Sequence, residues 1–209
     1  MGKSFRIVIP PGIGYNVIQG KRKERMINLA DLHLIHIFGS SGSGSTTFAR
    51  AIAETHGFHH IDTDDALWIP TDPPFTRKRT PEEAKAIILR QLGEHERCVI
   101  SGEFLGWGDF LRDRVDLYVY MNLPAEIRIE RVQNREVRRF GSRVLPGGDM
   151  YRAHLEFLDW VKSYESDSQS HRSRMAHLKK IAALEKPVLR IEEPLPVTEL
   201  LRKIEPFLS

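Results

Sequence analysis

The chain has 209 residues, 41% hydrophobic and 28% charged, an ordinary globular composition with enough length to bury one sizeable core. Its single cysteine excludes a disulfide framework, and no stretch approaches the roughly 18 to 20 uninterrupted apolar residues that span a bilayer. The net charge of +3 is concentrated at one end: Lys3, Arg6, Lys21, Arg22, Lys23 and Arg25 against Glu24 put +5 in the first 25 positions, so the rest carries −2 and a basic, nucleic-acid-binding body is disfavoured.

In chain order, residues 1–25 hold a short apolar patch from Ile7 to Ile9, a Pro10-Pro11-Gly12 break and the basic cluster. No period is sustained long enough to define an element, so the segment reads as a disordered appendage to a domain over 26–209. A solvated tail, an organelle-addressing segment and a translation start at Met26 all fit it. The N-terminus lacks the apolar centre of a secretory signal, and Cys98 lies in an apolar run, which together favour a reducing, cytoplasmic setting.

From His33 onward short apolar runs alternate with longer amphipathic stretches, the pattern of strands joined by crossover helices in a parallel sheet. The strands are expected at Leu34 to Phe38, His60 to Asp62, Val99 to Ser101, Leu117 to Leu123 and Val188 to Ile191. A helix from Thr46 to Thr55 closes at Gly57, and a second opens with Thr80 as N-cap, Pro81 at the first turn and Glu83 completing a capping box. Further helices are expected over Pro124 to Arg139, Met150 to Tyr164, Arg172 to Leu184 and Thr198 to Phe207. The chain has no internal repeat, and the fold class is α/β in three αβα layers.

Chemistry concentrates in the segment from Gly39 to Thr46, which fits the phosphate-loop template G-x-x-x-x-G-K-[ST] at every fixed position except the lysine, here Ser45. Glycines 39, 42 and 44 free the backbone to curl so that the amides of Ser40, Ser43, Ser45, Thr46 and Thr47 turn inward, at the positive end of the next helix. Position supports the match, because the loop sits between a buried strand and an amphipathic helix, where a flexible Gly/Ser linker is out of place. Thr46 is the expected Mg²⁺ ligand with Asp62, and ATP the expected nucleotide.

Asp62-Thr63-Asp64-Asp65 ends the second strand, on the sheet edge where ligands of open α/β sheets gather. Asp62 is read as a metal carboxylate and Asp64 as the group that orients or deprotonates the attacking hydroxyl, with Asp65 capping the next helix. His59 and His60 fall on opposite strand faces, which argues against a shared metal. Arg128, Arg131, Arg135 and Arg138 recur every three or four residues on one helical face. Arg131 and Arg135 are the expected nucleotide contacts, with Arg135 or Arg138 the expected stand-in for the missing lysine. Phe140-Gly141 and Pro146-Gly147-Gly148 bracket a lid segment over 138–150. Glu103 reads as a group that orients the acceptor, Trp68 and Trp107 as acceptor-stacking or core-covering rings, and Arg77, Lys78 and Arg79 as an anion grip or a solvated turn.

From about Leu34 onward the chain resembles the nucleoside monophosphate kinase and shikimate kinase superfamily, and looks most like small bacterial proteins known as adenylate-kinase-like or AAA-family ATPases. The resemblance rests on the loop at Gly39 to Thr46, the acidic Asp62 to Asp65, the Ser101-Gly102 turn, and Arg131 with Arg135, which match the Arg-x-x-x-Arg that introduces an adenylate kinase lid. It implies a sheet order of 2-3-1-4-5 and ATP-Mg²⁺-dependent transfer to a small metabolite or nucleotide, by a monomer or homodimer. The chain departs from the pattern at Ser45 and lacks the Gly-Phe-Pro-Arg motif that holds an AMP phosphate, while Asp62-x-Asp64 is similar to the pair in shikimate and gluconate kinases. Ser45 also keeps open a different class of function, a nucleotide-binding sensor or ATPase with a degenerate loop.

Overall fold

A computed structural model describes the backbone of Ile7–Val8 and residues 32–103, 107–166, 170 and 172–205. The expectations for residues 1–25 otherwise lie outside the described residues. Strands β1 (Ile7–Val8), β2 (Leu34–Gly39), β3 (His59–Asp62), β4 (Cys98–Ser101), β5 (Leu117–Met121) and β6 (Val188–Ile191) form one sheet in the order β1-β6-β5-β2-β4-β3. The five strands from β2 to β6 run parallel, and numbered among themselves they stand in the implied order 2-3-1-4-5. β1 is an antiparallel addition at the edge, pairing Ile7 with Leu189 and Val8 with Val188. Two residues are too few for periodicity to announce a strand.

The described residues also hold the helices α1 (Ser45–His56), α2 (Thr63–Leu67), α3 (Pro81–Glu94), α4 (Ala125–Phe140), α5 (Tyr151–Ser163) and α6 (Arg174–Ala182) between the strands, and α7 (Val197–Ile204) after β6. Among the described residues none is long and apolar enough to cross a membrane. Helix α1 stops where the Gly57 N–H meets the Ala53 carbonyl at 3.0 Å. The capping box opens α3 as expected: Thr80 Oγ1 accepts from the Glu83 N–H at 3.2 Å, and Glu83 Oε2 from the Thr80 N–H at 2.8 Å. Helix α2 is anticipated in the sequence only as a helix capped by the acidic turn, without a range, since five residues carry too little period. Its N-cap is Asp62, which accepts from the Asp64 N–H, so Asp65 is not the capping residue.

Alternation along β2 divides the core between the two faces of the sheet. Ile35 and Ile37 pack with Phe48, Ile52, Leu200 and Ile204 beneath α1 and α7. Leu34 and Phe38 pack with Ile61, Ile88, Tyr118 and Ile181 beneath α2, α3 and α6. Trp107 joins the second cluster, which settles it as a core-covering ring. A smaller cluster of Val132, Leu158 and Val161 binds α4 to α5. The sheet thus delivers the carboxyl ends of β2, β3 and β4 side by side, with α4 crossing beside the loop after β2.

Candidate nucleotide site

The loop after β2 turns on left-handed glycines. Gly42 has φ of 84°, and a Cβ there would lie 2.5 Å from the Arg128 carbonyl oxygen, so only glycine lets the loop approach the first turns of α4. Gly44 caps α1 at φ 99°. The Ser43 N–H donates to the Ser40 carbonyl at 3.1 Å and the Phe48 N–H to the Gly44 carbonyl at 2.9 Å, which ties the curl to the helix. The Ser43 hydroxyl is buried without a partner, an unanswered polar atom in a loop of the shape that holds phosphate.

At the mouth of α1, Thr46 Oγ1 lies 3.4 Å from Asp62 Oδ2 and 3.5 Å from Ser101 Oγ. Behind them His60 Nε2 meets Ser101 Oγ at 2.8 Å, and burial pushes His60 down to about 4, so its ring is neutral at neutral pH. His59 turns instead to Gln91 and stacks on His95. Burial likewise pushes the Asp62 carboxyl up to about 6, with the neighbouring Asp64 and Asp65 charges adding to it, against the hydrogen bonds from Asp64 and Thr46. A half-buried carboxylate and a hydroxyl facing each other, short of positive charge, are oxygen donors suited to a hard divalent cation such as Mg²⁺. Asp64 is exposed in the first turn of α2, and Thr47 is exposed in α1.

The arginine stripe does not behave as one face. Arg128 is fully buried: Nε donates to the Leu123 carbonyl at 2.9 Å, Nη1 to the Val161 carbonyl at 3.2 Å, and Nη2 lies 3.4 Å from Glu165. It anchors α4 to α5 and is not an anion ligand. Arg131 is exposed, and a Cβ on Gly44 would stand 3.8 Å from its Nη1, which sets the guanidinium over the loop. Arg135 pairs with Glu136 at 3.0 Å and faces the Phe157 ring. Arg138 Nε donates to the Asn134 carbonyl of its own helix at 3.3 Å. The loop, Thr46, Asp62 and Arg131 therefore converge, whereas Arg135 and Arg138 are engaged along α4.

Several other expectations change. Glu103 is buried, hydrogen-bonded to His177 and 3.3 Å from Lys180 Nζ. Burial alone would raise its carboxyl, but the His177 contact with the Lys180 and Arg172 charges holds it well below the usual carboxylate range, so it is a buried anchor and not an acceptor ligand. His177 Nδ1 continues to the Tyr164 hydroxyl at 2.8 Å and from there to Tyr120 at 2.9 Å. Arg79 is spent on the carbonyls of Asp65, Ala66 and Trp68, closing α2. Lys78 covers the Trp68 ring, which meets Phe75 edge-on. The segment expected as a lid holds a short 3₁₀ turn over Gly141–Val144, with Arg143 bonded to Asp149 and, across to the insert after α2, to Asp72 at 2.6 Å.

Sequence reasoning missed the support beneath the loop. Ser40 Oγ donates to Asn122 Oδ1 at 2.7 Å, and Asn122 Nδ2 donates to Glu165 at 3.1 Å, the carboxylate that also meets Arg128. These partners lie far apart in the chain, and no local signal links them.

A glycine-built phosphate loop on the central strand of a 2-3-1-4-5 sheet, with an acidic strand end beside it, defines a P-loop protein of the kinase-like superfamily. Residues 35–144 match the family model described as AAA domain, and the chain belongs to that family. It is 37% identical over 175 residues to the Bacillus subtilis "uncharacterized protein YqaC", covering 84% of this chain and 97% of that one. It is also 28% identical over 114 residues to the cytidylate kinase of Pyrococcus furiosus, covering 49% of this chain and 57% of that enzyme. Among solved structures, a gluconokinase from Sinorhizobium meliloti superposes with a TM-score of 0.47 at 21% identity, covering 84% of this chain and 91% of that one.

Proposed function

We propose that this protein is an ATP- and Mg²⁺-dependent phosphotransferase that moves the terminal phosphoryl group of ATP to a hydroxyl or phosphate of a small metabolite or nucleotide in the cytoplasm. The observation that carries the reading is the meeting of the Gly39–Thr46 cradle, with its unanswered Ser43 hydroxyl, and the Thr46–Asp62 oxygen pair at its mouth. The relation to cytidylate kinases supports a kinase family for the chain.

The loop amides between Gly39 and Thr47 grip the phosphates, aided by the N-terminus of α1. Thr46 and Asp62 hold the metal, which when bound neutralises charge on the phosphate oxygens. Asp64, exposed in the first turn of α2, orients the acceptor and takes the proton of its attacking group. Arg131, exposed beside Gly44, meets the negative charge that develops, so catalysis is largely positioning and electrostatics. Ser45 favours one other reading, a sensor that closes on ATP without chemistry. A single-turnover assay with radiolabelled ATP against metabolite and nucleotide pools separates the two: label transfer establishes the kinase, and tight ATP binding with neither transfer nor hydrolysis leaves the sensor.

A further inference from the structure

We propose that Arg131 of α4 is the phosphate-facing cation of this site, taking from across the cleft the place that Ser45 leaves without a lysine. The inference rests on the nucleotide-binding reading above and assigns within it a role that a P-loop lysine fills from inside the loop.

In the template the lysine follows the last glycine and sets a point charge against the terminal phosphates. Here that position is Ser45, the first residue of α1, and a Cβ on the adjacent Gly44 would stand 3.8 Å from Arg131 Nη1. The approach is built into the packing. Gly42 lies against the backbone of Arg128, whose buried side chain is fixed by two carbonyls and Glu165. Arg131 stands one turn further along that anchored helix and so projects over Gly44.

Arg131 is also the arginine of this helix that is available. Among the described residues no carboxylate pairs with it, whereas Arg135 is held by Glu136, Arg138 by its own helix, and Arg139, two turns further from the loop, lies over the Phe75 and Phe140 rings. Exposed and unpaired, its planar guanidinium suits two-point contact with phosphate oxygens. The expectation that Arg135 or Arg138 fills the lysine's place is therefore replaced.

The test moves the charge from one element to the other. Calorimetric titrations with Mg-ATP and with inorganic tripolyphosphate would compare the wild type with Arg131→Ala, Arg135→Ala, Ser45→Lys and the combined Ser45→Lys/Arg131→Ala and Ser45→Lys/Arg135→Ala. Loss of a charge-assisted phosphate contact corresponds to about 10- to 100-fold weaker binding. Arg131→Ala is expected to weaken both ligands by about that factor, and the added lysine to restore most of it. Weakening of ATP alone, with tripolyphosphate unaffected, overturns the proposal by assigning Arg131 to the base. Wild-type affinity in Arg131→Ala, a deficit that Ser45→Lys leaves in place, or rescue of Arg135→Ala instead, overturns it equally. If the wild type binds neither ligand, it is the nucleotide reading itself that fails.

Discussion

Replacing Asp62 by asparagine tests whether the site stores electrostatic strain for a cation. The change keeps one oxygen to cap α2 through the Asp64 N–H, presents an amide N–H₂ that donates to Thr46 Oγ1 where the second oxygen accepted, and removes the charge. Because burial raises this carboxyl from 3.8 to about 6, the native protein holds a proton that the unfolded chain has already released between those values. The group's contribution to stability is therefore highest below about pH 4, falls as pH rises toward about 6, and stays low at pH 7. At about 1.4 kcal/mol per tenfold change in acidity, the ionised carboxylate costs the ligand-free protein up to about 3 kcal/mol at neutral pH. Asp62→Asn should thus stabilise the metal-free protein at pH 7 by as much as about 3 kcal/mol, a rise of roughly 6 to 12 °C in Tm. The gain should shrink toward zero at about pH 4, and the Mg²⁺ dependence of ATP binding should disappear. Urea unfolding in a chelator at both pH values, with calorimetry of Mg-ATP binding at pH 7, measures all three. A variant no more stable than the wild type at pH 7, or one whose gain persists undiminished at low pH, refutes the reasoning.

Gly42→Ala should combine about 1–2 kcal/mol of left-handed strain with about 1–3 kcal/mol of crowding against the Arg128 carbonyl, lowering unfolding free energy by roughly 2–5 kcal/mol. Scanning calorimetry checks the loss, and a parallel titration should show weakened Mg-ATP binding. Glu103→Gln, which breaks the buried pair with His177, should destabilise the protein by about 3–5 kcal/mol at pH 7. Because the folded carboxyl lies below its ordinary value of 4.5, its stabilisation is present above that value and lost as pH falls beneath it. Wild type and variant should therefore converge in acid, as pH-dependent urea melts would reveal.

Local signals carried much of this structure. The Thr80-Pro81-Glu83 capping box and the Gly57 stop act through bonds within a few residues, and both stand where expected. The central strands β2, β4 and β5 were legible because each is a short apolar run buried on both faces of a covered sheet, whereas β3, His59–Asp62 at the edge, buries only Ile61. The arginines of α4 mark the limit of such reasoning. Spacing of three and four residues places them on neighbouring rows of a helix but does not say which row meets another helix, so Arg128 proved buried and Arg131 exposed. The Glu103–His177 pair was equally hidden, since its members come from β4's exit and α6.

From the chain alone came the phosphate loop, the acidic strand end and the alternation of strand and helix, because backbone conformation and hydrophobic period are properties of neighbouring residues. Which charges meet which partners was decided by tertiary packing: it set Asp62, half-buried, beside Thr46, joined Ser40 to Asn122, and set Arg131 over Gly44. Electrostatic energy depends on distance and burial in space, and neither can be counted along a sequence.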